Sequence, residues 1–246
     1  MESQLPLVGM AKELQRVSLA FGAGDPLLLL GAQGSGKTRL IREALQCNRH
    51  VLYIAWVPAL HALLAAMARA LIAAHHPGFR RCALPGRDPE AWLASQPSLR
   101  LKGLLWTAME VSPVPIVLDG ITGASFPTYR FLQRIYHTRG MALFAAARDA
   151  VSLGALARLF WNPAKALHIP PLHERDAGQL FEAAAGHFQL RSLDLDEFRE
   201  KVLESAGGNP GQIIEMCRLA IQPQYLAGRH IKFAPLRIDA VMKFVR

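Results

Sequence analysis

The sequence predicts an α/β fold: a doubly wound, mostly parallel sheet of five strands, followed by a small all-helical domain. Three observations carry that expectation. The stretch LLLLGAQGSGKTRLIREAL, Leu27 to Leu45, sets an apolar run, a glycine-rich loop and a helical run in direct succession. Apolar segments short enough to be buried strands then alternate with helical patterns as far as Ile169. Beyond Pro170 and Pro171 only helical patterns remain.

Taken in order, Val8 to Phe21 reads as a short extended segment and a helix, and Leu27 to Leu30 as the first strand. A helix runs from Lys37, and Val51 to Trp56 is the second strand, followed by a long helix across Ala59 to Ala74. His75 to Asp88 contains Pro77, Gly78, Pro85 and Gly86, which break helices and mark a surface excursion. Helix resumes at Pro89, a residue suited to a first turn, and runs to Val111 with a break expected at Pro97. The remaining strands are Ile116 to Leu118, Met141 to Ala146 and Ala166 to Ile169, separated by helices at Tyr129 to His137 and Val151 to Phe160. The C-terminal helices are Arg175 to His187, Asp194 to Ala206, Pro210 to Ile221 and Leu236 to Val245. Asp194 is placed to cap its helix, and Gly207 and Gly208 to stop it. The resulting division is 1–170 for the sheet domain and 171–246 for the helical one.

A chain of 246 residues, 51% apolar, can bury one large core or one core and a small companion. No uncharged run reaches the ~18 residues of a membrane span. Met1 to Pro6 carries Glu2 and no basic start, so neither a membrane nor a secretory destination is indicated and a cytoplasmic one is expected. Cys47, Cys82 and Cys217 lie far apart with no C-x-x-C spacing and read as reduced thiols. His75 and His76, the one adjacent histidine pair, diverge on a helix end and do not suit a metal. The net charge of +9, from 28 Lys and Arg against 19 Asp and Glu, fits phosphate-rich partners or simple solubility.

Gly31, Gly34, Gly36, Lys37 and Thr38 fill the pattern G-x-x-x-x-G-K-[ST]. A loop whose backbone N–H groups converge on a phosphate needs positions free of a Cβ, which glycine supplies. Lys37 then reaches the β and γ phosphates, Thr38 ligates magnesium through its hydroxyl, and the helix starting there points its positive end at the anion. Ser35, inside the loop, and Arg39, just past it, belong to the same nucleotide-contacting stretch. Such a loop requires a carboxylate at the end of a neighbouring strand, and PIVLDG offers Asp119. Many ring-forming ATPases place a Glu next, to orient the attacking water. Here Gly120 follows, which accepts no proton, and the next carboxylate is Asp149.

LVGMAKEL, GAQGSGKT, IVLDG, LFAAARD, IPPLHERDAGQLF and GGNPGQI stand in the order found in AAA+ ATPases. The chain resembles in particular the STAND signalling ATPases and the initiator-type and transposition-type ATPases related to them, from Val8 to about Arg218. The resemblance implies ATP and Mg²⁺ as cofactors, a P-loop NTPase sheet with a helical lid, and a weak Mg-dependent ATPase activity. Val8 and Gly9 match the segment that folds against adenine, with Met10 where an Arg is frequent. Arg148 matches the STAND arginine that senses the γ-phosphate, and its plainer alternative is a solvated pair with Asp149. Gly208, Asn209 and Pro210 match the turn that sets the lid over the nucleotide, or form only a helix stop. The second-sensor arginine of AAA+ proteins falls near Gly211 and is missing. Arg134 and Arg139 suit either fingers toward a neighbouring copy or a solvated helix face.

Arg80, Arg81, Arg100 and Lys102 gather near Phe79, Trp92 and Trp106, a mixture that suits nucleic acid or a solvated face over buried rings. The expected partners are therefore ATP or ADP, a protein, double-stranded DNA and a second copy of the chain. Two functions follow: a slow regulatory ATPase that assembles on or near DNA and recruits a protein, or a nucleotide-dependent protein-binding switch with no DNA role.

Overall fold

The computed structural model describes residues 5–79, 88–138 and 140–245. β1 (Leu28–Leu30), β2 (Leu52–Ala55), β3 (Ile116–Ile121), β4 (Leu143–Ala147) and β5 (Ala166–His168) form one sheet in the order β2-β3-β4-β1-β5. Every pairing in it is parallel. Parallel neighbours cannot be joined by hairpins, so each connection has to cross over, and most do so through helices. α1 (Ala11–Ala23) precedes β1, and the helices between strands are α2 (Lys37–Cys47), α3 (Leu60–Ala73), α4 (Pro89–Ser95), α5 (Ser98–Val111) and α6 (Phe126–His137). After the sheet come α7 (Glu174–His187), α8 (Asp196–Ala206), α9 (Pro210–Ala220) and α10 (Phe233–Val245). The fold is thus the expected doubly wound sheet with a helical C-terminal region. No helix among the described residues is long and apolar enough to cross a membrane.

The chain divides into two compact units. A sheet unit holds Leu14–Gly31 and Ile41–His168, and a helical unit holds Met1–Glu13, Ala32–Leu40 and Ile169–Arg246. The loop between β1 and α2 therefore groups with the C-terminal helices.

In the sheet unit the two-residue period of a strand sorts side chains by face. Leu28 and Leu30, Leu52 and Ile54, Ile116 and Leu118, and Leu143 with Ala145 join one core with residues of α3, α5 and α6. Leu29, Val117 and Phe144 take the opposite face, where Phe144 meets Phe21 of α1 edge-on with ring centroids 4.6 Å apart. Pro97 breaks the helical run as expected and becomes the N-cap of α5. The segment Val151–Leu159, expected as one helix, is a 3₁₀ stretch with a kink. Gly154 takes a positive φ of 55° there, and a Cβ on it would meet the Ala124 nitrogen at 3.1 Å.

The helical unit is built around Phe181, Phe198, Val202, Ile213, Met216 and Leu236. It also contains a two-stranded antiparallel hairpin, β6 (Leu226–Ala227) with β7 (His230–Ile231), too short to be legible as period-two alternation. Asp194 does not cap α8: the helix starts at Asp196 with Leu195 at the N-cap, while the Asp194 N–H is taken by the Arg229 carbonyl at 3.0 Å. Gly207 ends that helix at φ 50°, as expected of a left-handed C-cap. Glu215 is buried and paired with Arg218 at 2.6 Å and Lys243 at 2.8 Å. Burial works to raise its pKa, but the two charge-assisted hydrogen bonds outweigh it and hold the carboxyl below the usual carboxylate range. Burial pushes the Cys217 thiol up to about 12, which makes it inert at neutral pH, while Cys47 is exposed and Cys82 lies outside the described residues.

Candidate functional site

The candidate residues divide between the two units. In the helical unit the loop glycines set the geometry. Gly34 and Gly36 hold φ of 83° and 95°, a region that residues with a Cβ rarely enter. Ser35 is buried within the turn, and its N–H donates to the Ala32 carbonyl at 3.1 Å. The Lys37 ammonium donates to the same carbonyl at 2.9 Å and reaches the Ser35 hydroxyl at 3.4 Å, so it lies along the loop. Thr38 is exposed at the start of α2. The Arg39 guanidinium donates to the Leu5 carbonyl at 2.9 Å.

Two other segments converge on this loop inside the same unit. From the C-terminal side come Asn209 and Gly211. The Asn209 amide nitrogen donates to the Gln33 carbonyl at 2.9 Å, and the Gly211 N–H donates to the Gly34 carbonyl at 2.9 Å. The Asn209 carbonyl oxygen accepts from the Gln212 N–H at 3.2 Å, so one side chain both caps α9 and ties down the loop. From the N-terminal side comes Met10: a Cβ on Gly36 would meet its Cε at 3.0 Å and Pro210 Cγ at 3.9 Å. Gly9 has a φ of 69° and lies so close to Asp176 that a Cβ would stand 2.8 Å from the carboxylate. Val8, half-buried, packs against the helical core. The structure thus brings Val8, Gly9, the loop and Pro210 into one unit.

Sequence reasoning missed the end of α10. Phe244 lies against Gly34, where a Cβ would meet its ring at 2.8 Å, and the Lys243 carbonyl accepts from the Gln33 amide at 3.5 Å. No local signal links residues 210 positions apart. Asn209 was more accessible to reasoning, because Asn directly before Pro is a helix N-cap signature.

In the sheet unit, Asp119 sits at the C-terminal end of β3 and is buried. Its Oδ2 accepts a hydrogen bond of 2.9 Å from the Tyr53 phenol. Burial, then the neighbouring carboxylate, push the Tyr53 pKa above its usual value. The β3 register slips immediately after Asp119, and Gly120 occupies the irregularity at φ 80° with open space around its Cβ position. Any other residue at 120 would be strained by backbone conformation rather than by crowding. Arg148 directly follows β4, and its carbonyl accepts from the Gly31 N–H at 3.2 Å. Its exposed guanidinium is 3.2 Å from Asp149. Hydrogen bonds from the Ser152 hydroxyl and N–H do most to hold the Asp149 carboxyl below its ordinary range, with Arg148 secondary.

Thr38 in the helical unit and Asp119 in the sheet unit each carry a hard oxygen of the kind magnesium takes, usually through retained waters. No cluster of three or more His, Cys, Asp or Glu suited to a metal occurs among the described residues. Of the basic group, Arg100 is exposed and Lys102 half-buried on α5, while Arg80 and Arg81 lie outside the described residues. Phe79 and Trp92 are core residues, and Trp106 is covered by Arg134, 4.0 Å from its ring centroid. Arg134 also pairs with Glu110 at 3.4 Å, and Arg139 lies outside the described residues.

No protein-family model matches the chain, and no curated protein sequence is significantly similar to it. Solved structures do share its fold. Cdc6p from Pyrobaculum aerophilum superposes with a TM-score of 0.64 at 14% identity, over 89% of this chain and 63% of its own. A Walker-type ATPase of Pyrococcus abyssi gives 0.62 at 12% identity, over 97% of this chain and 73% of its own. A STAND protein with a tetratricopeptide repeat sensor from Pyrococcus horikoshii gives 0.54 at 14% identity, over 98% of this chain and 33% of its own. The chain therefore spans under two thirds of Cdc6p and a third of the STAND protein. Its fold is that of AAA+ and other P-loop ATPases.

The two roles of Asn209 can be separated. Asn209→Ala should lower the unfolding free energy by about 0.5–2 kcal/mol in urea denaturation, the usual worth of an N-cap. Asn209→Asp keeps the cap oxygen and should recover most of that loss while still lacking the donor to Gln33. Wild-type stability in the Ala variant would contradict the capping role.

Proposed function

We propose that the chain binds ATP with magnesium and acts as a regulatory ATPase of AAA+/STAND type, with slow or partner-dependent hydrolysis, assembling on or near DNA and recruiting another protein. The observation that carries the ATP reading is the loop: Gly34 and Gly36 at positive φ, followed by Lys37 and Thr38 at the start of a helix. That arrangement suits an anion, because freed backbone N–H groups and the helix N-terminus act together. Lys37 supplies the cation for the β and γ phosphates, Thr38 the hydroxyl for magnesium, and Ser35 and Arg39 flank the phosphates. Asp119 holds magnesium-bound water, Arg148 senses the γ-phosphate, and Val8, Gly9 and Pro210 border the base and sugar. Magnesium, when bound, supplies charge neutralisation on the phosphates. Residues 1–170 form the functional ATPase domain and 171–246 its helical companion, in the cytoplasm.

Slow turnover rests on Gly120, which offers no proton acceptor beside Asp119 and holds a φ of 80°. The DNA role rests on the net charge of +9 and on the exposure of Arg100. The rings near these charges are buried, so phosphate contact rather than base stacking is the mode of binding proposed. A second function, a protein-binding switch without DNA, is favoured by the same glycine and by the fold shared with a signal-transduction ATPase.

Three measurements test these assignments. By calorimetry, Lys37→Ala should weaken ATP binding roughly 10- to 100-fold, the worth of a charge-assisted contact to phosphate; equal affinity would reject the loop as the site. The purified chain alone should turn over ATP far more slowly than the typical ~10 per second, and rapid Mg-dependent hydrolysis would show that a base exists elsewhere. With ATP present, the logarithm of DNA affinity should fall with log salt, and reversing Arg100 and Lys102 to Glu should flatten that slope by about two units, at roughly 0.9 per contact. No DNA affinity in the wild type at low salt leaves the protein-only switch as the better function.

A further inference from the structure

The sheet places one side chain directly behind Asp119. Leu52 and Ile54 of β2 enter the apolar core, so Tyr53 between them takes the opposite face. In β3, Ile116 and Leu118 enter the same core, and Val117 and Asp119 take the opposite face. The parallel register pairs Tyr53 with Val117 and Ala55 with Asp119. Tyr53 is therefore two residues short of Asp119 on the neighbouring strand, about 8 Å away by backbone spacing. A tyrosine bridges that diagonal, whereas a shorter donor falls short.

Its phenol donates to Asp119 Oδ2 at 2.9 Å. Arg42 of α2, the helix that opens with Lys37 and Thr38, lies near the same phenol and opposes the rise in its pKa. Among the described residues no other side chain donates to the Asp119 carboxylate. A buried carboxylate needs its hydrogen bonds satisfied, and here one oxygen is taken by Tyr53.

We propose that Tyr53 is a positioning residue for Asp119, fixing the carboxylate through Oδ2 so that Oδ1 is the oxygen left for the magnesium shell. The assignment rests on Asp119 being the magnesium residue. Outer partners of this kind orient metal-facing oxygens, and their loss typically costs 10- to 100-fold in metal affinity.

The test reads binding rather than turnover. A fluorescent ATP analogue is titrated onto the protein at fixed nucleotide with increasing Mg²⁺, and separately in EDTA. Tyr53→Phe, which removes one oxygen and keeps the ring, should raise the Mg²⁺ concentration for half-maximal tightening about 10-fold or more. Its metal-free nucleotide affinity should match the wild type, because the loop residues are untouched, and that match also reports an intact fold. Asp119→Ala should abolish the Mg²⁺ dependence. Full Mg²⁺ dependence in Asp119→Ala would overturn the magnesium assignment of Asp119, and the role of Tyr53 with it. If Asp119→Ala loses the dependence while Tyr53→Phe keeps the wild-type requirement, the positioning role alone is overturned. Should Tyr53→Phe fail the metal-free control, Tyr53→Leu, which also removes the phenol, decides, and a wild-type Mg²⁺ requirement there overturns the role of Tyr53.

Discussion

The loop between β1 and α2 puts a residue where a Cβ is not tolerated, and the helical unit is organised around that constraint at Gly34. The residue has a φ of 83°, and it is also the point of closest approach for two other segments of its unit. A Cβ there would stand 2.6 Å from the Asn209 oxygen and 2.8 Å from the Phe244 ring, and a Cβ on Gly211 would stand 2.7 Å from the Gly34 Cα. One missing methyl group thus serves both the conformation of the loop and the packing of the helices against it. The hydrogen bonds from Asn209 to Gln33 and from Gly211 to Gly34 depend on this approach. Buried Glu215, through Lys243, steadies the end of α10 that brings Phe244 to the same place.

The sheet unit obeys a different rule, the two-residue period of a strand. That period puts apolar residues of β2 and β3 on one side, and Tyr53 and Asp119 on the other. It also explains why the end of β3 is informative. The register slips after Asp119, and Gly120 fills the irregularity in a left-handed conformation. A water-orienting carboxylate at 120 would have to bear that backbone strain, so the lack of a Glu is matched by a backbone suited to glycine.

Much of this was legible from residue types in short windows. The phosphate-loop glycines, the strand that precedes them and the helix that follows are local, as is the stop at Gly207. The break at Pro97 is local too, because Pro disfavours helix in the residue before it. Local signals failed where a neighbour distant in sequence intervened. Asp194 has the composition of a cap, but its N–H is claimed by Arg229 across the hairpin. Val151 to Phe160 has helical composition, but Gly154 packs against Ala124 and breaks the helix.

For this chain, the sequence by itself determined the order of the five sheet strands, the glycine-rich loop between β1 and α2, and the position of Asp119 toward the end of β3. Each depends on backbone conformations or periodicities confined to a few consecutive residues. Only the tertiary structure decided that the strand order is β2-β3-β4-β1-β5, that Tyr53 donates to Asp119, and that Asn209 and Phe244 meet the loop at Gly34. The side-chain contacts among these join positions 66 to 210 apart. Their partners are chosen by burial, register and hydrogen-bond satisfaction across the fold, and no local window of the chain carries that information.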